Sequence, residues 1–383
     1  MFPYLSDLIN YLFGTNLKLP FPMFGFMVAL AFLAANYFFK LELKRKEEEG
    51  LLKAFKEKVI IGEKPKPIEI ITNAVFGFLF GFKIVGMIQQ YDLFVQSPPD
   101  YIFSTNGNAI AGIILGIAFG YWKYYEKNKA ALEQPEEKEE CVHPYQLVGN
   151  MTVIAAIAGI LGAKLFHNLE NINELIDNPL GALTSFSGLS IYGGLIVGGI
   201  SVVWYAKKKG LKIVHVVDAC APALILAYAI GRIGCQLAGD GDWGQPNDSP
   251  MPDWLSFLPE WMWAFDYPNN VLGIDLKQDF MQMGYESITG KAWPTPFYET
   301  LMALFIFGIL WSLRKKFKYP GFIFSLYLFL NGIERFLIEQ IRINPPYHFL
   351  GIEATQAEII AVILFISGIA GMYLSIKKSK HAI

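Results

Sequence analysis

A chain of 383 residues that is 53% hydrophobic and only 17% charged departs from the soluble pattern of about 45–50% apolar and about 25% charged residues. A net charge of −2, with the basic residues confined to short clusters, offers no surface for nucleic acid. Cys141, Cys220 and Cys235 are odd in number and scattered without a CxxC pair, which argues against a disulfide framework, a zinc site or any other metal; no cofactor is expected.

A hydrocarbon core about 30 Å thick needs about 20 mostly apolar residues in helix. Residues 1–19 have neither a basic n-region nor a small-residue cleavage site, and read as an arm with an interfacial helix through Leu5, Leu8, Ile9 and Leu12. Nine apolar runs then follow, at about 22–39, 72–89, 109–125, 147–166, 191–205, 214–230, 297–313, 321–338 and 358–376. The fifth and seventh are short enough to be tilted or partly re-entrant. The pattern predicts an all-α integral membrane protein, a single polytopic domain over 1–383 with about nine transmembrane helices in the lipid bilayer. The stretch 40–146, with charged flanks, reads as an inserted helix pair, and 133–140 as a solvated loop.

Lysine and arginine fall in the loops after the first, third, fifth, seventh and ninth runs, from Lys40–Lys58 through Lys207–Lys212 to Lys377–Lys380. The alternate stretches 91–108 and 167–190 contain none. The positive-inside rule therefore places the N-terminus outside and the C-terminus inside. Residues 240–296, rich in Trp, Pro and Asp, become a small extracytoplasmic head.

Four polar or glycine-rich motifs lie on that outer side. Residues 187–199 open the fifth run and include Tyr192, Gly193 and Gly194. The sixth run ends in Gly231-Arg232-Ile233-Gly234-Cys235, followed by Asp240-Gly241-Asp242. Pro294-Thr295-Pro296-Phe297-Tyr298-Glu299 opens the seventh, and the eighth ends in Asn331-Gly332-Ile333-Glu334-Arg335 with Glu339 and Arg342 beyond. An ionised side chain at the centre of a membrane helix costs about 2.5–3.5 kcal/mol on insertion scales. Arg232 and Arg335 therefore require internal partners or an anionic ligand, and two such arginines suggest a phosphate at the membrane interface.

In order and spacing these four motifs resemble those of the phosphatidylglycerol–prolipoprotein diacylglyceryl transferase family, over roughly 188–342. Gly231–Gly234 with 239–244 is similar to the family signature, 192–195 to its aromatic-or-histidine Gly-Gly-Leu element, 294–299 to its Pro-x-Gln-x-Tyr-Glu element, and 334–342 to its late arginine motif. Tyr192 stands where histidine is frequent and Cys235 where asparagine is; the family's first-span Tyr-Gly appears as Phe24-Gly25. Members have about seven spans, which marks the second and third runs as the insertion. The resemblance implies transfer of diacylglycerol from phosphatidylglycerol to the lipobox cysteine of a prolipoprotein, with release of glycerol phosphate. It also implies the plasma (inner) membrane of a bacterium, as a multi-pass protein with its site facing the outer leaflet.

A thiolate that attacks the glycerol carbon expels a phosphate monoester, so negative charge grows on the leaving oxygens. Guanidinium groups match phosphate with planar, permanently charged donors. Arg232 is assigned to the phosphate of the bound lipid and Arg335 to the same phosphate as it leaves. Gly193, Gly194, Asp240, Asp242, Tyr298, Glu299, Asn331, Glu334 and Arg342 complete the expected substrate site. The thiol proton goes to Glu339, Asp240 or Tyr192; a phenol titrating near 10 is a poor base, which favours a carboxylate. Blander readings stand beside these. Arg232 and Arg335 would pair with Asp240 or Glu339 and only hold helices together, and Gly194 and Gly198, at GxxxG spacing, would only pack helices. A non-enzymatic transporter of lipid or anionic solute, or an inactive relative, are the competing functions.

Overall fold

Backbone groups left without water must bond within their own segment, so apolar runs of this length fold as helices. The computed structural model describes residues 1–96, 101–102, 104–184, 190–287, 289–349 and 352–380, and is mostly helical. Helix α1 (Leu5–Phe13) occupies the predicted arm. The long helices are α2 (Met23–Glu48), α3 (Pro67–Gln89), α4 (Ala109–Lys129), α5 (Val148–Glu170), α6 (Ile191–Lys208) and α7 (Ile213–Ala238). After the short α8 (Leu276–Gln282) come α9 (Thr295–Leu313), α10 (Phe322–Glu339) and α11 (Gln356–Lys380).

Each of the nine apolar runs therefore lies in a helix. Six of these helices are long and apolar enough to cross a membrane. Among the described residues, α4, α6 and α10 fall short of that standard: α4 ends in charge from Lys123 to Lys129, and α6 and α10 have only 18 residues each, ending in lysines and in Glu334, Arg335 and Glu339 respectively.

Helix α7 is the most enclosed of those six. Its Ala221, Ile225 and Ala229 pack against Ala303, Ile306 and Leu310 of α9 and Phe322 and Ile323 of α10. Toward its N-terminus, Val216, Ala219 and Ala223 join a second cluster with Phe39 and Leu43 of α2, Met151 of α5 and Ala206 of α6. Glycines let α11 lie close against α10: a Cβ at Gly332 would meet the Ala361 carbonyl oxygen at 2.7 Å. Helices α5 and α6 approach in the same way, through Gly162 and Gly193.

Helices α3 and α4 pack chiefly on each other. Gly77 and Gly81 of one meet the backbone at Leu115 and Ala111 of the other, and Gly112 and Gly116 receive Phe78 in return, the small-residue spacing that lets backbones approach. Their outer faces expose Val75, Phe76, Leu79, Ile113, Ile114 and Ile117. An antiparallel ribbon of β1 (Phe55–Ile61) and β2 (Glu136–Val142) closes the pair. The acidic stretch 133–140 is thus largely strand rather than the expected loop. Its glutamates face lysines across the ribbon, Lys56 Nζ lying 2.9 Å from Glu139 Oε2 and Lys58 Nζ 3.1 Å from Glu137 Oε2. Residues 91–96 at the far end touch the N-terminal arm, where Tyr4 Oη donates to the Val95 carbonyl at 3.2 Å.

Between α7 and α9 the chain builds a small core of its own from Trp243, Tyr267, Leu276, Phe280 and Ala292. It is tied to the bundle through the Met1 amino group on the Pro268 carbonyl at 2.7 Å and the Val271 N–H on the Ala238 carbonyl at 3.0 Å. The strands β3 (Tyr347–Phe349) and β4 (Ile352–Ala354) form a second short ribbon before α11.

Candidate active site

The last turns of α7 carry Arg232 and Cys235, and the helix stops at Gly239, whose left-handed φ of 65° satisfies the Cys235 carbonyl at 2.9 Å. The chain then turns back so that Asp242 faces α7. Its backbone is laced on both sides: the Thr295 hydroxyl donates to the Asp242 carbonyl at 2.5 Å, and the Gln245 N–H to the Ile341 carbonyl at 2.8 Å. Those two bonds draw the end of α7, the start of α9 and the end of α10 into one place.

Five charged groups meet there in one linked network. Arg232 donates through Nη1 to Asp242 Oδ2, and its Nε lies 3.0 Å from Glu299 Oε2. Arg342 Nη2 donates to Asp242 Oδ1 at 2.6 Å, with Nη1 3.7 Å from Glu299 Oε1. Arg335 lies between Glu299 Oε1 at 3.5 Å and Glu339 Oε2 at 2.8 Å, which makes Glu339 a sixth member. Three guanidiniums thus face three carboxylates, and Glu299 at their centre has 0% side-chain exposure. Charge balance of this kind is what allows ionised groups at such depth. Glu334, 1% exposed and next to Arg335 in sequence, accepts at 3.3 Å from Nδ2 of Asn331, one helical turn earlier.

The arginines find carboxylate partners, as the blander reading required, but Arg232 takes Asp242 and Glu299 rather than Asp240. The balance leaves donors over: Arg342 Nε and Nη1 are buried without a hydrogen-bond partner among the described residues. Asp240 Oδ1 is likewise buried and accepts no hydrogen bond there. Cys235 Sγ and one oxygen each of Asp240 and Asp242 lie within 4.8 Å of one another, a group able to ligate a metal. A cation there would compete with Arg232 and Arg342 for Asp242.

Burial works against the Asp242 carboxylate, yet Arg232 and Arg342 beside it overcome that cost and bring its pKa down to about 2. Burial and the neighbouring Asp242 charge hold Asp240 above the ordinary carboxyl range. Because the folded-state value for Asp242 is depressed, its stabilising contribution is complete above the unfolded value and disappears as pH falls through about 2. The difference in melting temperature between the native protein and Asp242→Asn is therefore expected to shrink between about pH 4 and about pH 2. Thermal unfolding across that range checks this, and a constant difference would remove the arginine pairing as its cause.

Tyr298 serves another end: its hydroxyl donates to the Met262 carbonyl at 2.7 Å and ties the 239–294 segment to α9. The fifth-run motif is set apart from the arginines. Gly193 and Gly194 lie in the α5–α6 contact, where a Cβ on Gly193 would overlap Phe166 and the Gly162 carbonyl. Tyr192, in the first turn of α6, has no hydrogen bond or ion pair to the network among the described residues, and residues 187–189 of its motif lie outside them. Tyr228 is a member that sequence reasoning missed. Its hydroxyl donates to Glu299 Oε1 at 3.0 Å and its ring lies 5.1 Å from the Arg232 guanidinium carbon. Its position four residues before Arg232, on the same helix face, was the available signal. Asn344 was missed too; it donates to Glu339 Oε1 at 2.7 Å from beyond the helix end.

A family model described as prolipoprotein diacylglyceryl transferase matches residues 112–374. The phosphatidylglycerol–prolipoprotein diacylglyceryl transferase of Clostridium tetani is 33% identical over 197 residues, covering 51% of this chain and 68% of that protein. That of Corynebacterium diphtheriae is 26% identical over 302 residues, covering 77% and 98%. A third, from Prochlorococcus marinus, is 30% identical over 224 residues and covers 55% and 67%.

Proposed function

This chain belongs to the prolipoprotein diacylglyceryl transferase family, and we propose on that premise that it transfers a diacylglyceryl group from phosphatidylglycerol to the lipobox cysteine of prolipoproteins. The observation that carries the reading is the convergence of Arg232, Arg335 and Arg342 with two buried Arg342 donors unused. A phosphate diester set among them takes those donors and competes with Asp242 and Glu299 for the rest.

In the reaction the thiolate sulfur bonds to the glycerol carbon, the carbon–oxygen bond to phosphate breaks, and glycerol phosphate departs with the electron pair. Arg232 and Arg342 hold the phosphate of the bound lipid, and Arg335 takes up charge as it leaves. Fixed cationic donors aimed at developing charge are a large catalytic contribution in a water-poor site. Asp240, more basic than the arginine-bound Asp242, takes the thiol proton, with Glu339 as the other candidate. Asn331 and Glu334 set the α10 face on which Arg335 sits, and Glu299 and Asp242 hold the arginines in place until substrate arrives. Tyr192, Gly193 and Gly194 lie apart from the arginines and take no proton, so Tyr192→Phe is expected to keep close to the native rate. A loss of more than about tenfold in the peptide assay would return the phenol to the chemistry.

By the alternation of basic loops, the protein spans a bacterial inner membrane nine times, N-terminus outside. Residues 240–296 then form a head over a site open to the outer leaflet, and α3 with α4 is the insertion within 40–146. The test is incubation of the detergent-purified protein with phosphatidylglycerol and a lipobox peptide, followed by mass spectrometry. A gain of one diacylglyceryl group, absent when the cysteine is serine, establishes the reaction; no gain beside an active transferase refutes it.

A further inference from the structure

The opposite ends of the same helices enclose a second polar site. Arg232 and His215 both belong to α7 and are separated by about 25 Å at the helical rise of about 1.5 Å per residue. Around His215 lies a cavity of about 260 Å³, lined by the C-terminal turns of α2, the start of α7 and the α9–α10 connection. Five cations line it, Arg45, Lys46, Arg314, Lys315 and Lys318, against the two carboxylates Glu49 and Asp218.

Both carboxylates already have partners, and Glu49 pairs at 2.7 Å with Arg45 of the same wall. Asp218 caps α10, accepting from the Gly321 N–H at 2.8 Å and the Phe324 N–H at 2.9 Å. Lys46, with a side chain only 7% exposed, lies 3.9 Å from Asp218, beyond hydrogen-bond reach. Arg45 and Arg314 share Glu42 behind the wall, each at 2.7 Å. Lys315 and Lys318 make no ion pair among the described residues. His215 is 6% exposed, and its Nδ1 is buried with no partner there. A surface of solvated lysines would not leave a buried imidazole nitrogen unpaired beside a lysine whose side chain is almost wholly enclosed, since leaving a buried polar atom unpaired is costly.

We propose that this cavity binds a phosphate group, carried either by the headgroup of an anionic phospholipid in the facing leaflet or by a free phosphate. Phosphate oxygens complete the coordination of Lys46 and of His215 with its Nδ1 protonated, while Lys315 and Lys318 close over the open side. At about 260 Å³ the cavity falls just below the about 300–1,000 Å³ usual for ligand pockets, which suits a headgroup and not a whole lipid. Basic pockets between membrane helices bind acidic headgroups by this chemistry. The site is separate from the arginine network and does not rest on the reaction proposed there.

The test is isothermal titration of the purified full chain with dioctanoyl phosphatidic acid, inorganic phosphate or dioctanoyl phosphatidylcholine. Each is repeated on the double variant Lys315→Gln, Lys318→Gln, whose exposed positions leave the fold intact. Phosphatidic acid is expected to bind the native chain about thirtyfold more tightly than the variant, the loss for two lysines near a charged headgroup. The same loss with inorganic phosphate at equal affinity assigns the site to a free phosphate. Equal binding of phosphatidylcholine, equal affinities in chain and variant for every probe, or no binding at all overturns the proposal.

Discussion

Arg232→Ala should reduce the rate of peptide lipidation by at least about 10²–10³, the usual cost of removing one donor aimed at developing charge. The residue is joined to both Asp242 and Glu299, so its loss also leaves two carboxylates with one fewer cation each beside the phosphate position. That added repulsion pushes the effect toward the upper end. Arg232→Lys keeps the charge but loses the planar fork, and should recover only part of the rate. The peptide assay reads both variants, and complementation of a transferase-deficient strain supplies the independent check. Full rescue by Arg232→Ala would end its role at the phosphate.

The second large effect is on stability. Glu299 has no side-chain exposure and lies within 3.7 Å of guanidinium nitrogens from Arg232, Arg335 and Arg342. Removing it leaves three cations facing one another with Asp242 and Glu339 on the flanks only. Breaking a buried ion pair from one side typically costs about 3–5 kcal/mol, and Glu299→Ala should reach that range in thermal unfolding of the detergent-solubilised protein. Glu299→Gln preserves the shape and the bond from Tyr228 yet should lose most of the same stability, because charge is what the site lacks. A melting temperature unchanged in the glutamine variant would show that the three arginines are held apart by other means.

The positions of the helices were legible because apolar length is a one-dimensional property. So was the gathering of the arginine motifs, since each closes or opens a run on the same side of the basic-loop alternation. Lateral neighbours were not legible. The Tyr192 motif shares that side, but α6 packs on α5 through Gly193 and Gly162, away from the α7–α9–α10 contact. Partner choice was hidden for a similar reason. Asp240 lies nearer to Arg232 in sequence than Asp242, but Gly239 and Gly241, both at positive φ, turn the chain so that Asp242 meets the arginines. The acidic run at 133–140 looked like a loop because its lysine partners lie some eighty residues earlier, on β1.

The ribbon that closes the α3–α4 pair begins and ends in one place. His143 Nδ1 lies 2.6 Å from Glu47 Oε1, so the chain leaves the bundle at the end of α2 and rejoins it at an adjoining point before α5. An excursion that returns to its own origin leaves the path of the remaining helices unchanged. Its presence costs the fold one loop closure, and closure entropy grows only with the logarithm of length. Replacing the excursion with a short turn from Glu47 to His143 is therefore expected to keep the order of the helices that carry the arginines, while losing the bonds from Tyr4 to Val95 and from Lys209 to Glu57; peptide lipidation by the shortened chain checks this.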